Sequence, residues 1–259
     1  DIPADKVSKL PRYKGDLLLT EHSAGSITSQ AYMKRWNRMN EVLADAAERA
    51  SVLAEWLGGP AYPRQRLNDA WMLVMGGQFH DILPGTSLPK CYEYSWNDEL
   101  LALNQFAGVL DSAVGAVASG LDTQVKGVPL VIYNPLSIER QDIVEAVVTL
   151  PGGAPKAVRV LDPKGVEVPA QVLSADGGTV RILFLATVPS VGFAVYDVQA
   201  ADAPAASSLK VTDSSLENAR YRVTLDKNGD VVGIFDKKAN RELLSAPMRL
   251  AFMQDFPAA

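Results

Sequence analysis

The sequence predicts an α+β multidomain chain, a three-helix bundle followed by antiparallel β-sandwich-like domains. Two observations carry this expectation. Apolar residues between Thr28 and Leu121 recur at spacings of four and three, the rhythm of helices packed lengthwise. After Asp122 the texture switches to short β-branched runs set off by Gly, Pro and Asp, the mark of strands and tight turns.

The first helix is expected over Thr28–Leu57, where Tyr32, Trp36, Met39, Leu43, Ala46, Ala50, Leu53 and Leu57 trace a heptad seam. Thr28 and Ser29 are N-cap candidates, and Gly58-Gly59-Pro60 stops the helix. At 1.5 Å per residue this is a rod of roughly 45 Å. A second helix is expected from Pro63 to Phe79, with Leu67, Trp71, Val74 and Gln78 on one face and Pro63 in its first turn. The third runs from Glu93 to Leu121, with a seam of Trp96, Leu100, Leu103, Ala107, Leu110, Val114, Val117 and Leu121. Short connections make the three an up-down-up bundle spanning residues 28–124.

Six strands follow in a small antiparallel β domain over 125–205: Val128–Asn134, Ile143–Leu150, Ala157–Leu161, Val166–Leu173, Thr179–Ala186 and Phe193–Val198. Asp162-Pro163-Lys164-Gly165 and Asp176-Gly177-Gly178 are turn sequences, and Gln199–Ser208 reads as a loop. A hairpin of Arg220–Leu225 and Val231–Phe235, turning at Lys227-Asn228-Gly229-Asp230, opens a further β region over 206–259. An apolar run, Met248–Met253, comes near its end. Two or three strands cannot bury both sheet faces alone, so this region is expected to be the start of a larger sandwich.

Composition narrows the function classes. The 259 residues are 47% apolar and 21% charged, ordinary for a globular protein. A net charge of -5 with no basic stripe argues against nucleic acid as a partner. No uninterrupted apolar stretch nears the roughly 18–20 residues that span a bilayer, so no membrane partner is expected. Cys91 is the single cysteine and forms no internal disulfide, so nothing requires an oxidising compartment, and a cytoplasmic location is the expectation. A chain opening on Asp1 is expected to have been cut or engineered. Homo-oligomerisation is left open.

His22 and His80 are the two histidines, which excludes a His-x-x-x-His zinc site, and no cysteine pair substitutes. No Gly-rich phosphate loop or G-x-S-x-G elbow is present. Taken singly, the candidate residues have structural readings: His80 as a histidine at a helix end, Asp81 as a turn or helix cap, and His22 as a surface or interface polar group. Trp36, Trp71 and Trp96 read as core, Asp69 as solvated and Cys91 as inert.

Four ordered segments alter that reading. Tyr13-Lys14-Gly15-Asp16-Leu17 with Gly25-Ser26-Ile27-Thr28-Ser29-Gln30 resembles the passage from the catalytic domain into the helical bundle of glycoside hydrolase family 38 α-mannosidases. Gln78-Phe79-His80-Asp81-Ile82-Leu83-Pro84-Gly85-Thr86-Ser87 is similar to that family's metal-ligand motif. Tyr133-Asn134-Pro135-Leu136 with Arg140 resembles the opening strand of its first β domain. Leu216-Glu217-Asn218 through Asp226, Gly229 and Asp236-Lys237 resembles the start of its large C-terminal β region.

The resemblance implies a divalent metal cofactor, zinc or alternatively cobalt, with His80 as one ligand and Asp81 contacting sugar hydroxyls. It implies that residues 1–27 are the tail of a catalytic domain lying outside these 259 residues. The remaining ligands, the nucleophile and the acid/base would belong to that domain, leaving no catalytic residue in this chain and making the chain inactive alone. Ser23 stands where some members of the family place an aromatic residue, so no stacking contact is expected from it. The implied partners are a mannose-containing oligosaccharide and the catalytic domain.

The chemistry suits a mannoside, whose cis hydroxyls at the second and third carbons can both reach one ion. A neutral imidazole is a good zinc donor if its other nitrogen is oriented. Asp81, one position on, is expected not to bind the same ion through the same face as His80 and to be better placed to receive sugar O–H groups. Two other readings compete: a carbohydrate-binding β module on a helical stalk, although the β-rich half holds no Trp, and an assembly domain built on the two heptad seams.

Overall fold

A computed structural model describes residues 2–12, 14, 26, 28–153 and 155–249. It has the expected α+β class. A short helix, α1 (Ala4–Val7), precedes the bundle helices α2 (Ala31–Trp56), α3 (Arg64–Gly77) and α4 (Pro89–Ala118). α4 begins a turn earlier than the apolar rhythm indicated, because Pro89 fits a first helical position where no N–H is needed. Pro63 stands just outside α3, at its N-cap.

Neither Thr28 nor Ser29 caps α2. Its N-cap is Gln30, in the left-handed region at φ 49°, whose side chain makes no cap hydrogen bond. The Ser29 hydroxyl donates instead to Gly85 O at 3.1 Å. The far end behaves as expected: Gly58 takes φ +85° and donates its N–H to Glu55 O.

The heptad rhythm is present, but its phase differs from the one read in the sequence. In α2 the deepest line is Met33, Asn37, Asn40, Ala44, Ala47, Ser51 and Ala54, one residue after the predicted seam, while Tyr32, Met39 and Leu57 are exposed. In α4 the buried line is Tyr92, Glu99, Ala102, Phe106, Val109, Ala113 and Val117, mostly one residue before it. Successive helical positions differ by about 100°, so both lines fall within one broad apolar stripe. On α2 the small residues Ala44, Ala47, Ser51 and Ala54 fill most of this line, while α4 contributes the larger Tyr92 and Phe106. α3 buries Leu67, Ala70, Val74 and Gly77 against the same core. Trp36 and Trp96 meet edge to face at 5.9 Å, and Trp71 packs so on Phe106 at 5.5 Å. By length and composition α4 also resembles a membrane span, yet it packs along α2 and α3 and buries Glu99.

Seven strands build a sandwich from two antiparallel sheets. β1 (Val128–Asn134), β7 (Gly192–Ala201), β3 (Ala157–Leu161) and β4 (Glu167–Val168) form one, in that order. β2 (Arg140–Thr149), β6 (Thr179–Val188) and β5 (Ala170–Asp176) form the other. Val148, Val160, Val180, Ile182, Phe184, Tyr196 and Val198 fill the space between. The single strand expected at Val166–Leu173 is two strands in different sheets. Pro169 lies between them; lacking an N–H, it cannot continue a ladder, and the chain switches sheets there. β7 runs on to Ala201, so the expected loop starts three residues late.

The last sheet has five strands, ordered β12 (Arg241–Glu242), β11 (Val231–Asp236), β10 (Tyr221–Leu225), β9 (Ser215–Glu217) and β8 (Lys210–Thr212). The β10–β11 hairpin is as expected. Asp226 Oδ1 accepts the N–H groups of Asn228 and Asp230, and Gly229 takes φ +84°. The other three strands are too short to leave a periodic signature. Leu209, Val211, Leu216, Tyr221, Val223, Ile234 and Leu243 line an open apolar groove on this sheet.

The bundle and the sandwich meet directly. Tyr133 and Phe193, stacked with ring centroids 4.7 Å apart, pack against Ala50, Ala54, Ala113 and Val117. Arg49 Nη1 donates to Pro135 O at 3.1 Å. Asn134 is buried, and its amide nitrogen reaches Ile138 O, Val188 O and Pro189 O, while its oxygen accepts Leu136 N–H. The Asn-Pro-Leu signature thus has a folding role.

Candidate metal and sugar site

α3 ends at Gly77, and the next eight residues form a compact series of turns before α4. The N–H groups of Ile82 and Leu83 donate to Phe79 O, Gly85 N–H to Ile82 O, and Thr86 N–H to Asp81 O. Gly85 has φ +92°, and a Cβ there would lie 2.6 Å from Ser29 Oγ. Glycine is required on both counts.

His80 and Asp81 stand on the outer side of this turn, with side chains 75% and 59% exposed. His80 Nε2 lies 3.2 Å from Asp81 Oδ2. The tight turn after α3, unlike a continuing helix, thus brings both side chains to one side. Asp81 Oδ1 accepts the Thr86 hydroxyl at 3.2 Å, which orients the carboxylate. The Phe79 ring lies 4.6 Å from the His80 ring and is itself exposed.

Donor chemistry fits a divalent ion in part. An accessible imidazole beside an oriented carboxylate offers nitrogen and oxygen donors of the type zinc accepts. Among the described residues no group of three or more His, Cys, Asp or Glu is placed to hold a metal, so these residues fit as a contribution to a shared site. His22 and Ser23 lie outside the described residues, as do Tyr13, Gly15–Leu17, Gly25 and Ile27 of the first resembling segment.

Beneath the turn is polar machinery that, Gln78 apart, sequence reasoning did not single out. Lys34 Nζ on α2 donates to Ser29 O, Leu83 O and Pro84 O at 2.6, 2.9 and 3.3 Å. Burial holds its pKa below the ordinary lysine value. The Tyr92 hydroxyl on α4 accepts Ser87 N–H and donates to Asp81 O. Gln78 Nε2 donates to Asn37 Oδ1 at 2.9 Å. Deeper still, Asn40 Nδ2 donates to Glu99 Oε2 at 2.6 Å and to Glu99 O at 3.0 Å. Glu99 is fully buried, and that burial, reinforced by Asp98 and Glu41 against the favourable Asn40 bond, raises its carboxyl pKa. Each of these residues reads in sequence as an ordinary polar position on an amphipathic helix. Asn37, Asn40, Tyr92 and Glu99 carried a signal in one respect, since they fall on the buried lines once the phase is known.

Comparison with known proteins gives this geometry a context. Residues 21–116 match the family described as the alpha mannosidase middle domain. Alpha-mannosidase G of Dictyostelium discoideum is 25% identical over 259 residues, spanning 92% of this chain and 24% of the relative. The chain thus spans about a quarter of that relative's length. Two solved Enterococcus faecalis structures share the fold. An alpha-mannosidase from strain V583 superposes with a TM-score of 0.66 at 19% identity, covering 91% of this chain and 32% of that one. A protein described as belonging to glycosyl hydrolase family 38 gives 0.65 at 19%, covering 92% and 32%. Residues 21–116, which hold nearly all of the helical bundle, belong to the alpha mannosidase middle domain family, and the chain as a whole is similar to a part of these α-mannosidases.

Proposed function

We propose that this chain is part of a metal-dependent retaining α-mannosidase that hydrolyses terminal α-mannosidic bonds in glycans. In this reading His80 supplies one metal ligand and Asp81 contacts the sugar. The observation that carries it is the exposed pair at the end of α3, with Nε2 and Oδ2 3.2 Å apart on a turn fixed from below. A histidine serving only the core would be sealed in apolar packing, and His80 is open.

A bound zinc or cobalt ion would supply a Lewis acid able to hold the two cis hydroxyls of a mannose unit. His80 would offer its imidazole nitrogen while Asp81, held by Thr86, would accept sugar O–H groups. The carboxylate pair of the retaining scheme, about 5–5.5 Å apart, would come from the catalytic domain of the longer protein. The chain alone is accordingly inactive.

Two measurements test this. In the full-length protein, His80→Ala should lose bound zinc and lower kcat/KM at least about 100-fold. Retention of stoichiometric zinc would refute the ligand role. The isolated chain, assayed on an aryl α-mannoside with added zinc or cobalt, should show no turnover, and clear activity would refute its dependence on other segments.

A further inference from the structure

We propose that Lys34 and Tyr92 are positioning residues that lock the His80–Asp81 turn into the geometry needed to share an ion, an inference that rests on the metal role proposed for His80. The turn's side chains and its backbone are treated in opposite ways. His80 and Asp81 are open to solvent, whereas the carbonyls of Asp81, Leu83, Pro84 and Gly85 are each held by a side chain from a neighbouring segment.

Lys34 is the most unusual of these contacts. Its ammonium has three N–H donors, and three backbone carbonyls receive them. Among the described residues it forms no ion pair with any carboxylate, although lysine is a strongly hydrated charge that normally stays in water. Water could satisfy the carbonyls of a plain surface connection equally well. A charge partly withdrawn from solvent to grip three carbonyls therefore fixes position. Tyr92, 2% exposed, acts from α4: its hydroxyl takes Ser87 N–H at 2.9 Å and donates to Asp81 O at 3.1 Å, bridging the two ends of the turn. Together they grip the segment from two different helices, and a site held this way keeps its ligands within a narrow range of angles.

The test places Lys34→Met and Tyr92→Phe beside His80→Ala in the full-length protein. Zinc affinity is measured by chelator competition, ligand geometry by the visible spectrum of the cobalt-loaded form, and turn order by amide exchange at Gly85–Ser87. Both positioning variants should weaken zinc binding about 10- to 100-fold, alter the cobalt spectrum, and speed exchange at those amides at least tenfold. Helical circular dichroism should stay unchanged. His80→Ala should lose the metal outright. Wild-type zinc affinity and cobalt spectrum in both Lys34→Met and Tyr92→Phe, with metal lost in His80→Ala, would overturn the positioning role and leave the ligand role standing. Full zinc binding by His80→Ala would remove both. Should Lys34→Met fail to fold, Tyr92→Phe decides alone, since it keeps the buried ring and deletes only the hydroxyl.

Discussion

Glu99 is the residue at which the bundle departs furthest from a simple apolar core. Its carboxyl is fully buried between α2 and α4, bonded to Asn40 through one oxygen and without a partner on the other. A Cβ added to Gly77 would lie 2.2 Å from that second oxygen, so α3 passes directly over it and requires glycine there. The sign of the pH effect follows. The folded carboxyl has a raised pKa, so the fold binds a proton more tightly than the unfolded chain. This stabilisation is complete below the unfolded pKa and is lost as pH rises through the folded one. Glu99→Gln cannot ionise, so its stability should be flatter above pH 5. The two proteins should diverge by about 1.4 kcal/mol for each unit by which the folded pKa exceeds the free one. Denaturant melts at several pH values check this, and parallel curves would show that Glu99 does not titrate as described.

At the scale of the element, phase matters as much as period. The repeat of four and three in α2 is real, but the close contact runs along Ala44, Ala47 and Ala54, with Met39 outside it. Ala47→Leu should therefore overpack the bundle and cost about 1–3 kcal/mol. Met39→Ala, at an exposed position of the predicted line, should change stability by less than about 0.5 kcal/mol. Equal costs would restore the seam read from sequence. The same phase sets the chemistry at the helix ends, because it turns Lys34 toward the carbonyls of the 81–87 turn.

For the whole molecule, the informative contact is where Tyr133 and Phe193 of the sandwich sit against the end of the bundle. All four tryptophans lie in the helical part, at Trp36, Trp56, Trp71 and Trp96, so their fluorescence reports on the bundle alone. Phe193→Ala, made in β7, should still lower the stability seen by tryptophan emission, by about 2 kcal/mol, because it strips packing from the bundle's end. An unchanged tryptophan-monitored transition would mean that bundle and sandwich unfold independently.

Much of the fold is legible in the residues themselves. β1 and β3 fall where alternating and β-branched runs place them, the β10–β11 hairpin follows from its Asn-Gly turn, and Gly58 stops α2. These depend on interactions spanning a few residues, and sequence records such interactions directly. The motif singles out His80 and Asp81 in the sequence, but not their shared orientation, which a turn outside any regular helix decides. The switch of sheets at Pro169, the phase of both seams and the grip of Lys34 and Tyr92 on the turn came only with tertiary structure. The physical reason is that periodicity tells which broad face of an element is apolar. Which line on that face lies deepest, and which polar atom meets which, is set by the neighbours that close over it.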